Sequence, residues 1–107
     1  MDHNLKIKNN VVVGFEDEFV EEIIIPEGIV KIANYAFDKF YGLKKIVLPT
    51  SLTSIGDFAF QKCSSLQSIE FSHNIEFLGE GAFKECTSLT EVDMSNSKLT
   101  QIPYAQG

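Results

Sequence analysis

The sequence predicts an α/β solenoid, with short parallel strands on one face, short helices on the other and a hairpin cap at the N-terminus. Three observations carry this. The pair Ala-Phe recurs as Ala36-Phe37, Ala59-Phe60 and Ala82-Phe83, 23 residues apart each time. The residues around it align without gaps into units 23–45, 46–68 and 69–91, followed by a truncated unit at 92–107. Finally, no unit of that length can bury its own apolar face, so neighbouring units must stack to form a continuous core.

Residues 1–22 stand outside the repeat and read as a cap. Leu5-Lys6-Ile7 and Val11-Val12-Val13 flank Asn9-Asn10, a hairpin turn because Asn tolerates the left-handed backbone such turns require. Phe15, Phe19 and Val20 follow with acids between them, spaced as in a helical turn. The end of a solenoid otherwise exposes a raw sheet edge and an apolar layer, which a cap covers.

The solenoid is expected over 23–107. Each unit opens with apolar residues at period 2: Ile23 and Ile25, Ile46 and Leu48, Ile69 and Phe71, Val92 and Met94. That alternation is a short strand with one face inward. Pro26 and Pro49 end the first two strands. A second apolar pair follows, Ile29/Ile32, Leu52/Ile55, Ile75/Leu78 and Leu99/Ile102, and Ala33, Gly56 and Gly79 mark the turn out of it. The stripe Ala36, Phe37, Phe40, Leu43 and its equivalents then predict a helix of about two turns. Asn34, Asp57 and Glu80 sit at its N-terminal side, where acceptors and negative charge are favourable. In the last unit Ile102 arrives one residue late, and Gln106-Gly107 falls where Ala-Phe is due. The C-terminal end is therefore expected to be open, suited to pairing with a further repeat or with a second copy as a homo-oligomer.

A chain of 107 residues with 44 % hydrophobic content suits one globular domain. Fifteen acids against nine bases give a formal charge of −6, without a basic cluster. This argues against nucleic acid and anionic lipid as partners. No apolar run reaches the ~18 residues of a membrane span. The stretch Met1 to Lys6 carries no apolar signal core, so a cytoplasmic location is the default expectation. Cys63 and Cys86 are again 23 apart and take the slot of Phe40, which marks them as inward, reduced thiols. His3 and His73 lie far apart, and His73 falls in the loop after the third strand. There is no Cys-x-x-Cys, His-x-x-x-His, phosphate loop or nucleophile motif. Neither an enzyme nor a cofactor is expected.

The strands' outward positions are Ile24, Val47, Glu70 and Asp93, flanked by Lys45 and Glu91. Glu70 and Asp93 fall on adjacent strands only ~4.8 Å apart. Like charges in register are unfavourable, and a cation or a basic partner would relieve them. An apolar patch beside an acidic one makes these six residues the candidate surface for a protein partner. Tyr35 and Phe58, which precede the Ala-Phe pairs, form a second-ranked surface. The alternative reading is a structural segment of a longer array.

The repeat can be written I-x-[ILF]-[PS]-x-x-[IL]-x-x-[IL]-[GA]-x-x-A-F-x-x-[CF]-x-x-L, and residues 46–68 fit it nearly throughout. This resembles the BspA-like class of leucine-rich repeats, with departures at Ala33, Phe40 and Ser72. The resemblance covers about residues 20–107 and implies a right-handed leucine-rich-repeat solenoid that binds ligands or proteins without catalysis, often at cell surfaces. The matching positions are framework positions, so it assigns no binding residue.

Overall fold

The structure, a computed structural model, describes residues 4–71 and 73–93, with Asp93 as backbone. The expected unit beyond Asp93 and its open end, including Met94, lie outside the described residues, as does Ser72.

Among the described residues, nine short strands make two sheets. The N-terminal hairpin is β1 (Leu5–Lys8) and β2 (Val11–Phe15), joined by Asn9 and Asn10, whose φ values of 53° and 65° are both left-handed. Each coil then contributes one strand to each sheet. β3 (Glu22–Ile24), β5 (Lys45–Val47), β7 (Ser68–Glu70) and β9 (Glu91–Asp93) form a four-stranded parallel sheet in that order. β4 (Lys31–Ile32), β6 (Ser54–Ile55) and β8 (Phe77–Leu78) extend the hairpin into a five-stranded sheet, β1-β2-β4-β6-β8. The register advances by one unit per strand: Ile23 lies opposite Ile46, Ile32 opposite Ile55, and Ile69 opposite Val92.

The expected helices are not there. Among the described residues the chain is a β-solenoid with no helix, and a wall of tight turns replaces the helical layer. The backbone explains why. Tyr35 and Lys39, Phe58 and Lys62, and Gly81 and Glu85 all have φ between 56° and 66°, a left-handed conformation that interrupts a right-handed helix. Hydrogen bonding then alternates. The N–H groups of Tyr35, Phe37 and Lys39 donate across to Asp57, Ala59 and Gln61 carbonyls at 2.7–3.0 Å, while Ala36, Asp38 and Phe40 donate three residues back. The next coil repeats this, with Phe58, Phe60 and Lys62 donating to Glu80, Ala82 and Lys84. Half of the amides therefore hold neighbouring coils together, where a helix would spend all of them internally. In place of a helical turn, Phe15 ends β2 and residues 16–20 follow as bends and turns.

Asn34, Asp57 and Glu80 do not cap helices. Asn34 Oδ1 accepts the Asp57 N–H (2.8 Å), and Asp57 Oδ1 accepts the Glu80 N–H (2.9 Å). These side chains tie one coil to the next at the entrance to the wall.

The core runs through the stack as columns. Ala36, Ala59 and Ala82 are buried where the wall lies close to its neighbour, and Phe37, Phe60 and Phe83 stack at centroid distances of 5.2 and 5.3 Å. Cys63 is buried and Cys86 half-buried, both as free thiols. The Cys63 thiol donates to the Phe37 carbonyl (3.1 Å) and Cys86 to the Phe60 carbonyl (2.9 Å). Hydrogen bonding with Cys86, and then burial, push the Cys63 thiol well above its usual range, so it is no nucleophile. In the first coil the same slot holds Phe40, whose ring stacks on Phe15 of the cap at 4.1 Å.

Candidate functional site

The outer face of the four-stranded sheet follows from strand alternation. Ile23, Ile46 and Ile69 point into the core, so their neighbours on each strand point out. Two rows result. One runs Glu22, Lys45, Ser68, Glu91, and the other Ile24, Val47, Glu70, with the Asp93 backbone next in register. Ile24 is 67 % exposed and Val47 40 %, and Lys45, Glu70 and Glu91 are exposed as well. The face therefore changes character along the stack, from apolar on β3 and β5 to acidic on β7 and β9.

A groove of about 970 Å³ opens over β5, β7 and β9. Of the six expected site residues it brings together Lys45, Val47, Glu70 and Glu91. Ile24 lies one strand further along and does not line it. The Asp93 backbone pairs with Glu70 in the register expected for the acidic pair. Among the described residues no group of three His, Cys, Asp or Glu side chains is placed to hold a metal ion.

Sequence reasoning missed three polar groups. Ser68 occupies the row position between Lys45 and Glu91 and lines the groove, as do Thr50 and His73 at its end. The 23-residue period was the available signal, since it places Ser68 in the same row as Lys45 and His73 in the same corner as Thr50. His73, expected in the loop after the third strand, is exposed there.

The corner itself is tied across coils. Glu27 accepts the Thr50 N–H (3.0 Å) and the Thr50 hydroxyl (2.8 Å), and Asn74 Nδ2 donates to the Thr50 carbonyl (2.7 Å). The Thr50 N–H, followed by its hydroxyl, holds the Glu27 carboxyl below the usual carboxylate range. Thr50 thus reaches the groove from a fixed position.

The second-ranked surface is a stacked pair. Tyr35 and Phe58 lie 5.3 Å apart, with Tyr35 54 % exposed and Phe58 half-buried, and the Lys84 ammonium sits 6.0 Å over the Phe58 ring. Gly81 occupies the third position of this column, beneath the Phe58 ring. The column ends there.

Comparison with known proteins agrees with the architecture. The family described as "BspA type Leucine rich repeat region (6 copies)" matches residues 6–105. The crystal structure of a leucine-rich cell-surface protein from Faecalibacterium prausnitzii is similar over 74 % of this chain, at 32 % identity and a TM-score of 0.69. The chain spans only 20 % of that protein's length. A leucine-rich-repeat protein from T. pallidum aligns over 91 % of this chain and 81 % of its own, at 13 % identity, and its TM-score of 0.40 carries no structural argument. No curated protein matches. On the family match and the repeat-by-repeat fold together, the chain belongs to the BspA-type leucine-rich-repeat family.

Proposed function

We propose that the four-stranded sheet binds a protein partner without turnover, through the groove over β5, β7 and β9. The observation that carries this is the juxtaposition of Lys45, Val47, Glu70 and Glu91 around one open groove on a rigid stack. The face offers an apolar patch for burial and acidic groups for a basic complement. Ile24 extends the apolar side. Asp93, opposite Glu70 in the ladder, continues the acidic row.

The test is recovery of a partner by the wild-type chain and by a double variant carrying Glu70→Lys and Glu91→Lys. Loss of recovery with an unchanged melting curve supports the reading. Equal recovery removes the groove from consideration. The cell-surface description of the F. prausnitzii protein supports a surface location for this chain too, and labelling of intact cells with a membrane-impermeant reagent tests it.

A further inference from the structure

The cap treats the two sheets differently. In the five-stranded sheet, β2 covers β4 and β1 covers β2. The outermost strand, β1, carries exposed Lys6 and Lys8 and an irregularity between Lys6 and Ile7. Lysines and bulges are the usual means of blunting a sheet edge. The four-stranded sheet begins at β3, and among the described residues no strand lies on its outer side. The ladder fixes which backbone groups that edge presents. Glu21 O accepts the Lys45 N–H (3.2 Å) and the Ile25 N–H donates to Val47 O (3.0 Å). A parallel ladder alternates, so Glu21, Ile23 and Ile25 turn toward β5, while the N–H and C=O of Glu22 and Ile24 turn toward the outer edge. Ile24 is two-thirds exposed beside them, and Phe19, just before the strand, is the most exposed of the large apolar residues described.

We propose that the outer edge of β3 accepts an extended segment of a partner protein as a fifth parallel strand, with a basic residue opposite Glu22 and a β-branched residue opposite Ile24. The chemistry of that segment is already displayed on the other side of β3. There β5 sets Lys45 opposite Glu22, Ile46 opposite Ile23 and Val47 opposite Ile24. Cross-strand pairs of this kind are the unit of sheet stabilisation, and strand addition at a free edge combines main-chain hydrogen bonds with side-chain selection. Exposed Glu22 favours a basic residue in that segment, while Glu21 already pairs with Lys44 of the next coil at 3.7 Å. A second copy would bring the same net charge of −6 to the contact, which disfavours self-pairing. The inference shares only Ile24 with the groove proposal: it uses the outer edge of β3, whereas the groove is lined by side chains of β5, β7 and β9.

The probe is an end-blocked peptide, Lys-Lys-Ile-Val-Leu, titrated into the isotopically labelled chain and followed by amide NMR. The expected result is perturbation centred on the Glu22 and Ile24 amides, with at least a tenfold weaker response for Glu-Glu-Ile-Val-Leu. Ile24→Pro removes one outward donor but none of the β5 ladder, and should weaken binding at least tenfold while the other strands' amide signals persist. Glu22→Lys provides a readout that does not depend on tolerance of proline, because it should reverse the preference between the two peptides. No response at millimolar peptide overturns the proposal. Perturbation centred on Val47 and Glu70 also overturns it, and leaves the groove reading standing. A concentration-dependent dimer abolished by Ile24→Pro would assign the edge to a second copy and overturn the partner segment.

Discussion

The wall of turns and the four-stranded sheet come from the same repeats but keep the period to different degrees. In the wall, Ala36, Ala59 and Ala82 recur unchanged, as do Phe37, Phe60 and Phe83, and each coil donates three amides to the next in the same pattern. On the sheet, the backbone register is equally regular, yet the outward row runs from Ile24 through Val47 to Glu70. Both walls are held by coil-to-coil hydrogen bonds, so bonding does not explain the contrast. Side-chain surroundings do. A buried Ala or Phe of the wall must fit against copies of itself in the neighbouring coils, whereas an outward sheet residue meets solvent on one side and is free to differ. The surface that varies is the one able to discriminate among partners.

The largest test of this contrast is Phe60→Ala against Val47→Ala. The Phe60 ring lies between Phe37 and Phe83 and is fully buried. Its truncation should cost about 3–5 kcal/mol, enough to unfold the stack cooperatively in a urea titration. Val47→Ala should stay within about 0.5 kcal/mol, as surface changes usually do. Similar losses for the two variants would break the distinction between the walls.

Gly56→Ala comes next. A Cβ at Gly56 would lie 2.6 Å from the Asn34 nitrogen and 2.9 Å from the Ala33 carbonyl carbon, atoms of the preceding coil's backbone. The coils would have to separate at the entrance to the wall. An overpacking cost of about 1–3 kcal/mol is expected, read as a lower urea midpoint. A neutral result would mean that the coils are not held as closely as the Asn34 to Asp57 hydrogen bond requires.

The repeat frame, the first strand of each coil, the inward residues and the Asn9-Asn10 hairpin were legible because apolar period and turn chemistry state them directly. The wall was not. Phe37, Phe40 and Leu43 recur every three residues, a spacing that a short helix and a run of tight turns share. What separates the two is the backbone sign at Tyr35 and Lys39, and neither residue type advertises a left-handed conformation. Gly81, equivalent to Tyr35 and Phe58, was the one hint in the sequence. For the site, four of six expected residues meet at the groove. Ser68 and His73 were not assigned to the site, because the 23-residue period gives their place in the coil and only the stacked coils show that both line one groove.

Lys62→Gly tests the corrected wall by sign. Lys62 has φ of 63° while its N–H donates to the Lys84 carbonyl at 2.7 Å. Glycine keeps that donor and relieves a left-handed strain of about 1–2 kcal/mol, offset in part by about 0.5–1 kcal/mol of added chain entropy. The expected outcome is a gain of up to about 1 kcal/mol in the urea titration, and Lys39→Gly should behave alike. In the helix first expected here, glycine would instead cost about 1 kcal/mol. A loss at both positions would mean that the lysine side chains contribute more than the left-handed backbone costs.

The smallest effect lies at the corner that joins the two sheets beside the groove, and it is read through pH. Glu27 is exposed, and its carboxylate accepts the Thr50 N–H and hydroxyl, which lower its folded pKa. The unfolded chain has no such donors, so Glu27 titrates there in the usual range near ~4.3. A depressed folded pKa contributes stability above the unfolded value and loses it as pH falls through the folded one. The melting-temperature difference between wild type and Glu27→Gln should therefore be constant near neutrality and shrink on acidification through about pH 4. Thr50→Val keeps the N–H and deletes the hydroxyl donor. It should move the Glu27 carboxyl titration, followed by NMR, only part of the way back to its ordinary value. A full return would assign the shift to the hydroxyl alone. That would make this corner a side-chain contact laid over the stack, unlike either wall, where the backbone sets the coil spacing.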